Sequence, residues 1–307
     1  MTLALTAAAG ITAAERAKVR LTSPDRVEYP DQNITKGALA AYYAAVADRM
    51  LPFIADRPLS LVRCPQGQSG ECFFQKHDSG GFPPQLQKVP IAEKDGEVHD
   101  YFYIDNLAGL IAGVQMNVLE FHLWGSRRDA VEVPERIIFD IDPDPGLDFA
   151  EVKQAAADIR DGLARLGLQS FPLLTGGKGI HVIAPLKPGP EWPEVKAFCH
   201  GFAQRLADHE PDRFVANMSK ARRVGRLFVD YLRNERGSTA IAPWSTRARD
   251  GAPCAVPVGW DELPSLSAPN MFSIETAAAR AAQPDPWEGY VDLRQKITPV
   301  MLEAVGA

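Results

Sequence analysis

Residues 137–146 read IIFDIDPDPG, so an apolar run leads into two carboxylates, Asp140 and Asp142, that stand one residue apart. Because side chains alternate between the two faces of a strand, both carboxylates point to the same face. Like charges on one face repel each other, and burying them without a positive partner is costly. The Pro-rich residues that follow end the strand at once, which leaves both carboxylates within reach of a ligand.

A divalent cation bound between Asp140 and Asp142 would remove this repulsion. Mg²⁺ and Mn²⁺ prefer carboxylate oxygens and commonly keep the rest of the coordination shell for water and substrate phosphates. The pair therefore predicts a metal site at the end of a strand. For a D-x-D sequence on its own, a pair of exposed turn residues is the alternative.

The hydrophobic patterns around this strand predict helices and strands mixed without strict βαβ alternation. The predicted strands cover 58–64, 71–75, 99–104, 118–123, 136–142, 170–174, 180–186, 213–217 and 226–232, and the predicted helices cover 35–52, 148–166, 191–208, 271–282 and 297–305. Thr35 caps the first of these helices, and Asp148 with Glu151 caps the second. This order of elements favours an α+β fold with a largely antiparallel sheet.

Two segments stand outside this pattern. The Ala-rich residues 1–20 offer no clear partner for their apolar side chains, so we predict a flexible N-terminal arm or linker there and one catalytic domain over 21–307. A Gly/Pro-rich loop is predicted over 77–90, and its length suggests a functional role.

The composition is that of a globular protein, with 46% hydrophobic and 23% charged residues. The four cysteines contain no C-x-x-C pair, and the chain has neither a signal peptide nor an apolar run of about 18 residues. We therefore expect a reduced cytoplasmic protein without a membrane span. A zinc site formed by Cys64, Cys72 and His77 is an alternative, although the spacing matches no common zinc pattern.

The net charge of −6 argues against a nucleic-acid partner, but the distribution of charge does not. Residues 220–237, KARRVGRLFVDYLRNERG, hold six basic and two acidic residues. A local basic patch on an acidic protein predicts a phosphate-binding surface, and a solvated charged face is the alternative.

Asp230 lies in the middle of an apolar strand within this basic segment. One interpretation is a structural salt bridge to Arg222, Arg223 or Arg233. The other makes Asp230 a third metal ligand, since three carboxylates can hold two cations that activate an attacking hydroxyl and stabilise a leaving pyrophosphate. Phosphoryl transfer depends mostly on positioning and charge neutralisation, which such a site supplies.

Residues 174–182, LTGGKGIHV, place a Gly-rich loop between two apolar strands. The glycines let backbone N–H groups approach an anion, Thr175 adds a hydroxyl group, and Lys178 adds a point charge. The Walker A motif is absent, and a strand rather than a helix follows the loop. His181 alternates with apolar neighbours and so faces away from them. A tight hairpin would explain the glycines but requires neither Lys178 nor His181.

Three motifs in this order resemble the catalytic motifs of archaeo-eukaryotic primases, and within them the polymerase domain of bacterial ligase D. The motifs are DIDPDPG (140–146), TGGKGIHV (175–182) and RLFVDYLRNERGSTAIAPWSTR (226–247). The resemblance extends over about residues 20–300 and includes SPDRVEYP (23–30) and TKGALAAYY (35–43). It implies a primase-like α+β fold with largely antiparallel central sheets flanked by helices.

The resemblance also implies the parts of a nucleotide site. Asp140, Asp142 and Asp230 would bind two divalent ions, Mn²⁺ or Mg²⁺, with Mn²⁺ favoured. The triphosphate of an incoming NTP or dNTP, with ribonucleotides preferred, would be held by His122, Thr175, Lys178, His181, Arg223 and Arg247. Thr175 stands where the family often has Ser, which keeps the hydroxyl group.

For DNA, the resemblance implies that Arg26 and Lys36 bind the 5′-phosphate of an end and that Phe73 and Phe74 pack on the template. Lys36 lies at the predicted N-terminus of a helix, where backbone donors favour an anion. Stacking on bases is tolerant of sequence, which suits an enzyme working on arbitrary ends. Packing in the core is the alternative for the two phenylalanines.

The implied activity is that of a DNA-directed polymerase, a primase-like nucleotidyltransferase, which extends primer 3′-ends at double-strand breaks in bacterial non-homologous end joining. The implied partners are ligase and phosphoesterase domains of the same polypeptide and the end-binding protein Ku, in the cytoplasm at the nucleoid. Two other classes remain alternatives. A D-x-D glycosyltransferase leaves Asp230 and the basic segment without a role, and a D-x-D phosphatase typically has Thr or Val two residues after the second Asp of an N-terminal motif, whereas Asp142 is followed by Pro143 and Asp144 in the middle of the chain. A non-catalytic DNA-end-binding module does not need three separated carboxylates.

Overall fold

The computed structural model describes residues 5–307. Within them the helices are α1 (Ala7–Arg16), α2 (Lys36–Ile54), α3 (Leu107–Gln115), α4 (Phe149–Arg165), α5 (Trp192–His209), α6 (Ile274–Ala281) and α7 (Pro299–Val305). The strands are β1 (Val27–Tyr29), β2 (Ile34–Thr35), β3 (Leu59–Arg63), β4 (Phe73–Gln75), β5 (Gln87–Ala92), β6 (Val98–Tyr103), β7 (Val118–Trp124), β8 (Arg136–Pro143), β9 (Phe171–Leu174), β10 (Ile180–Pro185), β11 (Phe214–Val215), β12 (Leu227–Asp230), β13 (Thr239–Ile241) and β14 (Val256–Pro257).

The chain divides into two units. The first contains the residues up to Trp124 with Ile241–Val256 and Phe272–Asp285, and the second contains Gly125–Ala240, Pro257–Met271 and Pro286–Ala307. The single catalytic domain that we predicted over 21–307 therefore contains two structural units, each assembled from separate stretches of chain.

The second unit is built on a sheet with the strand order β11-β12-β8-β10-β9-β14. The pairs β12–β8, β8–β10 and β10–β9 are antiparallel, whereas β11 joins β12 in parallel. Helix α4 packs against β8 and β10. It begins with the predicted capping box, because Asp148 Oδ1 accepts from Glu151 N at 3.0 Å and Glu151 Oε2 accepts from Asp148 N at 2.8 Å.

The first unit has its own sheet in the order β13-β7-β3-β6-β5, with β4 added along β3. Helix α2 lies in the core of this unit, and both Tyr42 and Tyr43 on it are fully buried. Their hydroxyl groups are satisfied, since Tyr42 donates to the carbonyl of Trp244 at 2.8 Å and Tyr43 shares a hydrogen bond with Thr246 at 2.9 Å.

The Ala-rich N-terminus differs from the flexible arm that we predicted. Residues 7–16 form α1, which buries Gly10, Ala13 and Ala14 and packs on α2. A Cβ atom at Gly10 would overlap the carbonyl of Gly37 on α2, so glycine allows the two helices to approach closely. Residues 1–4 lie outside the described residues.

The cysteines correct a second expectation. Cys64 and Cys72 form a disulfide, so the expectation of a fully reduced protein is wrong for this pair. The strand register explains the bond. Arg63 on β3 pairs with Phe73 on β4, so Cys64, which follows Arg63, lies beside Cys72, which precedes Phe73. The bond uses both thiols that the alternative zinc site with His77 would need.

The other long elements follow the predicted pattern, but the short strands β1, β2, β13 and β14 were not predicted, and two further differences concern the loop over 77–90 and helix α3. The predicted loop over 77–90 gives way to β5 at Gln87, where Pro90 is tolerated because β5 is an edge strand. Helix α3 was not predicted. The α+β class with largely antiparallel sheets agrees with the sequence-based expectation. Among residues 5–307, no helix is both long and apolar enough to cross a membrane.

Candidate active site

Three carboxylates meet on one face of the sheet of the second unit. Asp230 on β12 pairs with Asp140 on β8, and Asp140 pairs on its other side with His181 on β10. Asp142 lies two residues further along β8 and so shares the face of Asp140. One carboxylate oxygen from each aspartate lies within 4.8 Å of the others. The strand register thus brings the three predicted metal ligands together.

Asp140 is the most strongly neutralised of the three. Its Oδ2 atom accepts hydrogen bonds from Arg233 Nη2 at 3.1 Å and Arg233 Nε at 3.2 Å, and its Oδ1 atom lies 3.4 Å from His181 Nε2. Burial alone would raise the pKa of Asp140, but His181 and Arg233 lower it to about 2. Asp140 is therefore ionised at neutral pH.

Asp142 is the least neutralised. Its side chain is 46% exposed, and Arg223 Nη1 lies 3.8 Å from its Oδ2 atom. Burial of the carboxyl group and repulsion from Asp140 and Asp230 raise the pKa of Asp142 to about 6, against the opposing effects of Arg233 and Arg223. The raised pKa thus reflects burial first and the negative charge of the two neighbouring carboxylates second.

Asp230 makes the salt bridge of our first interpretation and lies where the second, a third metal ligand, would require it. Its Oδ2 atom lies 3.5 Å from Arg233 Nε, which is the salt bridge of the first interpretation. The same side chain belongs to the carboxylate cluster of the second. Its Oδ1 atom accepts from the backbone N–H of Leu232 at 2.8 Å. Burial raises the pKa of Asp230, and the effect of Arg233 only partly opposes this.

The donors of this cluster fit a divalent cation. Within the described part of the chain, it is the one group of three or more His, Cys, Asp or Glu side chains whose ligand atoms lie close enough to share an ion. All three ligand atoms are carboxylate oxygens, the type that hard cations such as Mg²⁺ and Mn²⁺ prefer. The aspartate cluster can therefore bind metal ions, while the metal and the number of ions remain predictions.

The Gly-rich loop between β9 and β10 is tied closely to β8. A Cβ atom at Gly179 would overlap the carbonyl oxygen of Ile141, so only glycine lets β10 lie at this distance from β8. Thr175 is buried, and its hydroxyl group donates to the carbonyl of Gly179 at 2.9 Å and accepts from Gly177 N at 3.2 Å. The hydroxyl group that we predicted as a phosphate ligand therefore shapes the loop.

Lys178 and Arg223 are the predicted triphosphate ligands that lie nearest the surface of this unit. Lys178 is exposed and lines a cavity of about 310 Å³ together with Gly177, Asp144 and Asn270. The Arg223 guanidinium lies 3.7 Å from the ring centroid of Phe228, which supports it from one side. His181, by contrast, is only 4% exposed, and its Nδ1 atom has no hydrogen-bond partner among the described residues.

In the first unit, His122 and Arg247 meet at a buried carboxylate. Glu120 Oε2 lies 2.7 Å from His122 Nε2 and 3.1 Å from Arg247 Nε, and Glu120 Oε1 accepts from Ala248 N at 2.8 Å. Burial alone would raise the pKa of Glu120, but His122 and Arg247 lower it to about 2. We refer to Glu120, His122 and Arg247 as the Glu120 cluster.

The exposure of Phe73 and Phe74 decides between the two interpretations of these residues. Phe73 is 42% exposed and Phe74 is 61% exposed, so the alternative of core packing is wrong. Arg63 lies beside the ring of Phe73, with Cζ 5.7 Å from the centroid, and the rings of Phe74 and His122 meet edge to face at 5.3 Å. Two neighbouring aromatic rings are thus available at the surface of this unit.

Arg26 and Lys36 also lie close together, because Lys36 N donates to the carbonyl of Arg26 at 2.8 Å. The expectation that the start of α2 offers backbone donors to an anion is wrong. The N–H groups of Lys36, Gly37 and Ala38 donate to protein oxygens at 2.8–3.1 Å, the last of them to the predicted cap Thr35. An anion would have to rely on the side chains of Arg26 and Lys36.

Two residues of these sites were missed by the sequence analysis. Glu120 was signalled only by its position two residues before His122 in an apolar strand. Asn234 gave no signal in the sequence. Its side-chain amide makes the two backbone hydrogen bonds that a neighbouring strand would make to Ile138 on β8: Oδ1 accepts from Ile138 N at 2.8 Å and Nδ2 donates to the carbonyl of Ile138 at 2.7 Å. Asn234 thereby fixes β8 two residues before Asp140.

Comparison with known proteins gives the family. Residues 35–287 match the model of the LigD primase-polymerase domain. The multifunctional non-homologous end joining protein LigD of Pseudomonas aeruginosa is 38% identical over 303 residues, which is 98% of this chain and 36% of that protein. The bifunctional protein LigD of Bacillus subtilis is 31% identical over 268 residues, 86% of this chain and 42% of that protein. The chain thus spans well under half the length of these relatives.

A solved structure agrees with this result. The polymerase domain of Mycobacterium tuberculosis ligase D, in complex with DNA, superimposes with a TM-score of 0.82 at 33% identity, covering 89% of this chain and 98% of that chain. The match extends to the primase-like fold that the three motifs implied. The chain therefore belongs to the LigD primase-polymerase domain family and is a nucleotidyltransferase of that family.

Proposed function

We propose that this protein extends primer 3′-ends at DNA double-strand breaks during bacterial non-homologous end joining, with a preference for ribonucleotides. The observation that carries the proposal is the convergence of Asp140, Asp142 and Asp230 on one sheet face, with negative charge that the neighbouring cations do not fully neutralise. Negative charge that is not neutralised by the protein can bind divalent cations. Such cations suit the transfer of a nucleotidyl group, which depends on positioning and charge neutralisation more than on covalent catalysis.

Asp140, Asp142 and Asp230 would hold two divalent ions, with Mn²⁺ favoured over Mg²⁺. When bound, such ions lower the pKa of an attacking hydroxyl group and neutralise the triphosphate and the leaving pyrophosphate. The role of Arg233 and His181 is to keep Asp140 ionised. Asn234 and Gly179 hold the strand that carries the carboxylates in register.

Lys178 and Arg223 would contact the triphosphate. Lys178 offers an exposed ammonium group at the rim of a cavity, and Arg223 is a cation beside the carboxylate with the raised pKa. Thr175 would act through the shape of the loop, and His181 through Asp140. For His122 and Arg247, support comes from the family motifs and from their shared contact with Glu120.

DNA is the proposed macromolecular substrate. The solved relative that matches this chain was determined in complex with DNA. Phe73 and Phe74 provide exposed rings for stacking on template bases, and Arg26 with Lys36 provides cations for a 5′-phosphate. On the strength of the resemblance, the proposed partners are ligase and phosphoesterase domains of the same polypeptide and the end-binding protein Ku. The proposed location is the cytoplasm, at the nucleoid.

The alternatives are weaker. A D-x-D glycosyltransferase or phosphatase leaves the third carboxylate, Asp230, unused, and neither matches the family to which the chain belongs. A non-catalytic end-binding module would gain nothing from three mutually repelling carboxylates.

A primer-extension assay tests the proposal. With labelled NTP, gapped or 3′-overhang DNA and Mn²⁺, we expect Asp140→Ala with Asp142→Ala to reduce extension on the order of 10³-fold or more. Binding to DNA ends should survive, because these residues contact metal rather than DNA. Asp129→Ala, which removes an exposed carboxylate of the same unit, is the matched control. Extension by the double variant at the rate of the control would refute the metal assignment.

A further inference from the structure

A buried group of charges lies between the predicted 5′-phosphate ligands. Glu28 is 1% exposed and Lys36 is 3% exposed. Glu28 Oε1 lies 3.6 Å from Arg26 Nε and accepts a hydrogen bond from Asn117 Nδ2 at 2.9 Å. We refer to Arg26, Glu28 and Lys36 as the Glu28 cluster.

The hydrogen bonding of this cluster is incomplete. Among the described residues, Glu28 Oε2 has no hydrogen-bond partner, and Lys36 Nζ makes a long contact of 3.5 Å to the carbonyl oxygen of Gln115. Buried polar atoms are normally satisfied, so a site with an unsatisfied carboxylate oxygen and a weakly bonded ammonium group indicates a missing ligand. The side chain of Arg26 is 33% exposed, which gives the cluster a route to solvent.

A phosphate group suits both cations but not an ionised Glu28. A carboxylate held beside a phosphate dianion would repel it, whereas a protonated carboxyl group would donate a hydrogen bond to a phosphate oxygen. Burial already raises the pKa of Glu28, although Arg26, Lys36 and Asn117 oppose the shift. The shift is in the direction that favours the protonated carboxyl group.

We propose that Glu28 takes up a proton when a 5′-phosphate binds and so makes recognition of phosphorylated DNA ends stronger at lower pH. The inference rests on the proposed function, which assigns the 5′-phosphate to Arg26 and Lys36. The proton passes from solvent, or from a phosphate monoanion, to Glu28 Oε2, and the new O–H group donates to a phosphate oxygen. Arg26 and Lys36 then neutralise the phosphate instead of Glu28.

The neighbours of Glu28 are few enough to make the pH dependence interpretable. The charged groups that face it are Arg26, from the segment before β1, and Lys36, from α2. Asn117, from the turn between α3 and β7, does not titrate. The segment after β3 contributes the backbone N–H of Gln68, which donates to the main-chain carbonyl of Glu28 at 2.7 Å.

The test compares binding of fluorescent duplexes that carry either a 5′-phosphate or a 5′-hydroxyl group, measured by anisotropy at about pH 6 and about pH 8. As the pH rises from about 6 to about 8, the affinity of wild type for the phosphorylated end should fall. This fall should be about tenfold larger than the fall in the affinity of Glu28→Gln. At about pH 8 the variant should bind the phosphorylated end about tenfold more tightly than wild type. The second ionisation of the phosphate is common to both proteins and cancels in the comparison.

Asp31→Asn is the matched control, since Asp31 is an exposed residue of the β1–β2 turn and its substitution removes the same charge near the cluster. It should shift affinity equally at both pH values. If the Glu28→Gln protein is not folded, as checked by thermal unfolding, Glu28→Met removes the same carboxyl group with a side chain of similar length.

Three results would overturn the inference or what it rests on. Identical pH dependence in wild type and the Glu28 variant overturns the role of Glu28. Weaker binding of the phosphorylated end by the variant at both pH values overturns it as well. In both cases the 5′-phosphate assignment stands if wild type still prefers phosphorylated ends. Equal binding of phosphorylated and unphosphorylated ends by wild type overturns both the assignment and the inference.

Discussion

The aspartate cluster of the second unit and the Glu120 cluster of the first are built from similar parts. Each sits on a strand, each contains a carboxylate buried beside a histidine, and each has arginine partners. The difference is the ratio of charges. One carboxylate faces a histidine and an arginine in the Glu120 cluster, and its pKa falls to about 2. Three carboxylates compete for a few cations in the aspartate cluster, and the pKa of Asp142 rises to about 6.

This contrast shows that acidity alone does not mark a metal site. In sequence, E-x-H at 120–122 and D-x-D at 140–142 are both polar pairs in apolar strands. Only the second retains negative charge after its neighbours are taken into account, and only the second offers several oxygen atoms to one ion. The first uses its carboxylate to hold two side chains in place.

The largest effect should come from removing one ligand of the aspartate cluster. We expect Asp230→Asn to abolish Mn²⁺ binding, measured by isothermal titration calorimetry, and to reduce primer extension on the order of 10³-fold. Glu120→Gln should leave the Mn²⁺ titration unchanged. Loss of Mn²⁺ binding in the Glu120 variant would erase the distinction between the two clusters.

The next effect concerns stability in the absence of metal. Glu120→Ala leaves the buried His122 and the half-buried Arg247 without their carboxylate, and we expect it to lower the free energy of unfolding by roughly 3 kcal/mol. Asp142→Asn relieves repulsion and should leave stability unchanged or higher. Denaturant unfolding of metal-free protein measures both, and equal destabilisation by the two substitutions would contradict our account of the charge ratio.

A smaller effect is expected at the aromatic ring beside the Glu120 cluster. Phe74→Ala should weaken DNA binding by about 1–2 kcal/mol, as the loss of one stacked base does, with little change in the free energy of unfolding because the ring is 61% exposed. The exposed Val98→Ala substitution in the same unit is the control. Anisotropy with template-primer DNA distinguishes the two, and an unfolding change without an affinity change would return Phe74 to a structural role.

The smallest effect is a difference in the sign of pH dependence. The pKa of Asp142 is raised from 3.8 to about 6, so its contribution to stability is present below about pH 4 and is lost as the pH rises through 6. The pKa of Glu120 is lowered from 4.5 to about 2, so its contribution is present above about pH 4.5 and is lost as the pH falls towards 2. Exposure of Asp142 keeps its effect small.

Thermal unfolding of metal-free protein against pH checks these signs. Asp142→Asn should flatten the decline between about pH 4 and 6, and Glu120→Gln should flatten the decline below about pH 4.5. If stability changes with pH in the same direction in both pH ranges, our account of the charges in one of the two clusters is wrong.

Local signals predicted much of the fold. The capping box at Asp148 and Glu151, the cap at Thr35 and the apolar run of β8 are set by neighbouring residues, so they were readable from sequence. The elements that were missed depend on distant partners. Helix α1 is stabilised by a close contact between Gly10 and the chain at Gly37, which no local pattern reveals.

The candidate site divides in the same way. The residues of the aspartate cluster stood out because carboxylates are unusual in apolar strands, but their convergence depends on the pairing of β12 with β8. Thr175 was predicted to bind a phosphate because hydroxyl groups bind phosphates. In the structure, that hydroxyl group instead donates a hydrogen bond to the carbonyl of Gly179 within the loop. Glu120 and Glu28 were missed because a buried acid next to a predicted cation has no signature of its own.

The contact between Gly179 and the carbonyl of Ile141 has a consequence for genetics. A methyl group at position 179 would force β10 away from β8 and draw the imidazole of His181 away from Asp140. An activity screen would then score a glycine that carries no reacting atom as severely as an aspartate of the proposed metal site. Only a direct metal titration would tell a displaced scaffold from a missing ligand.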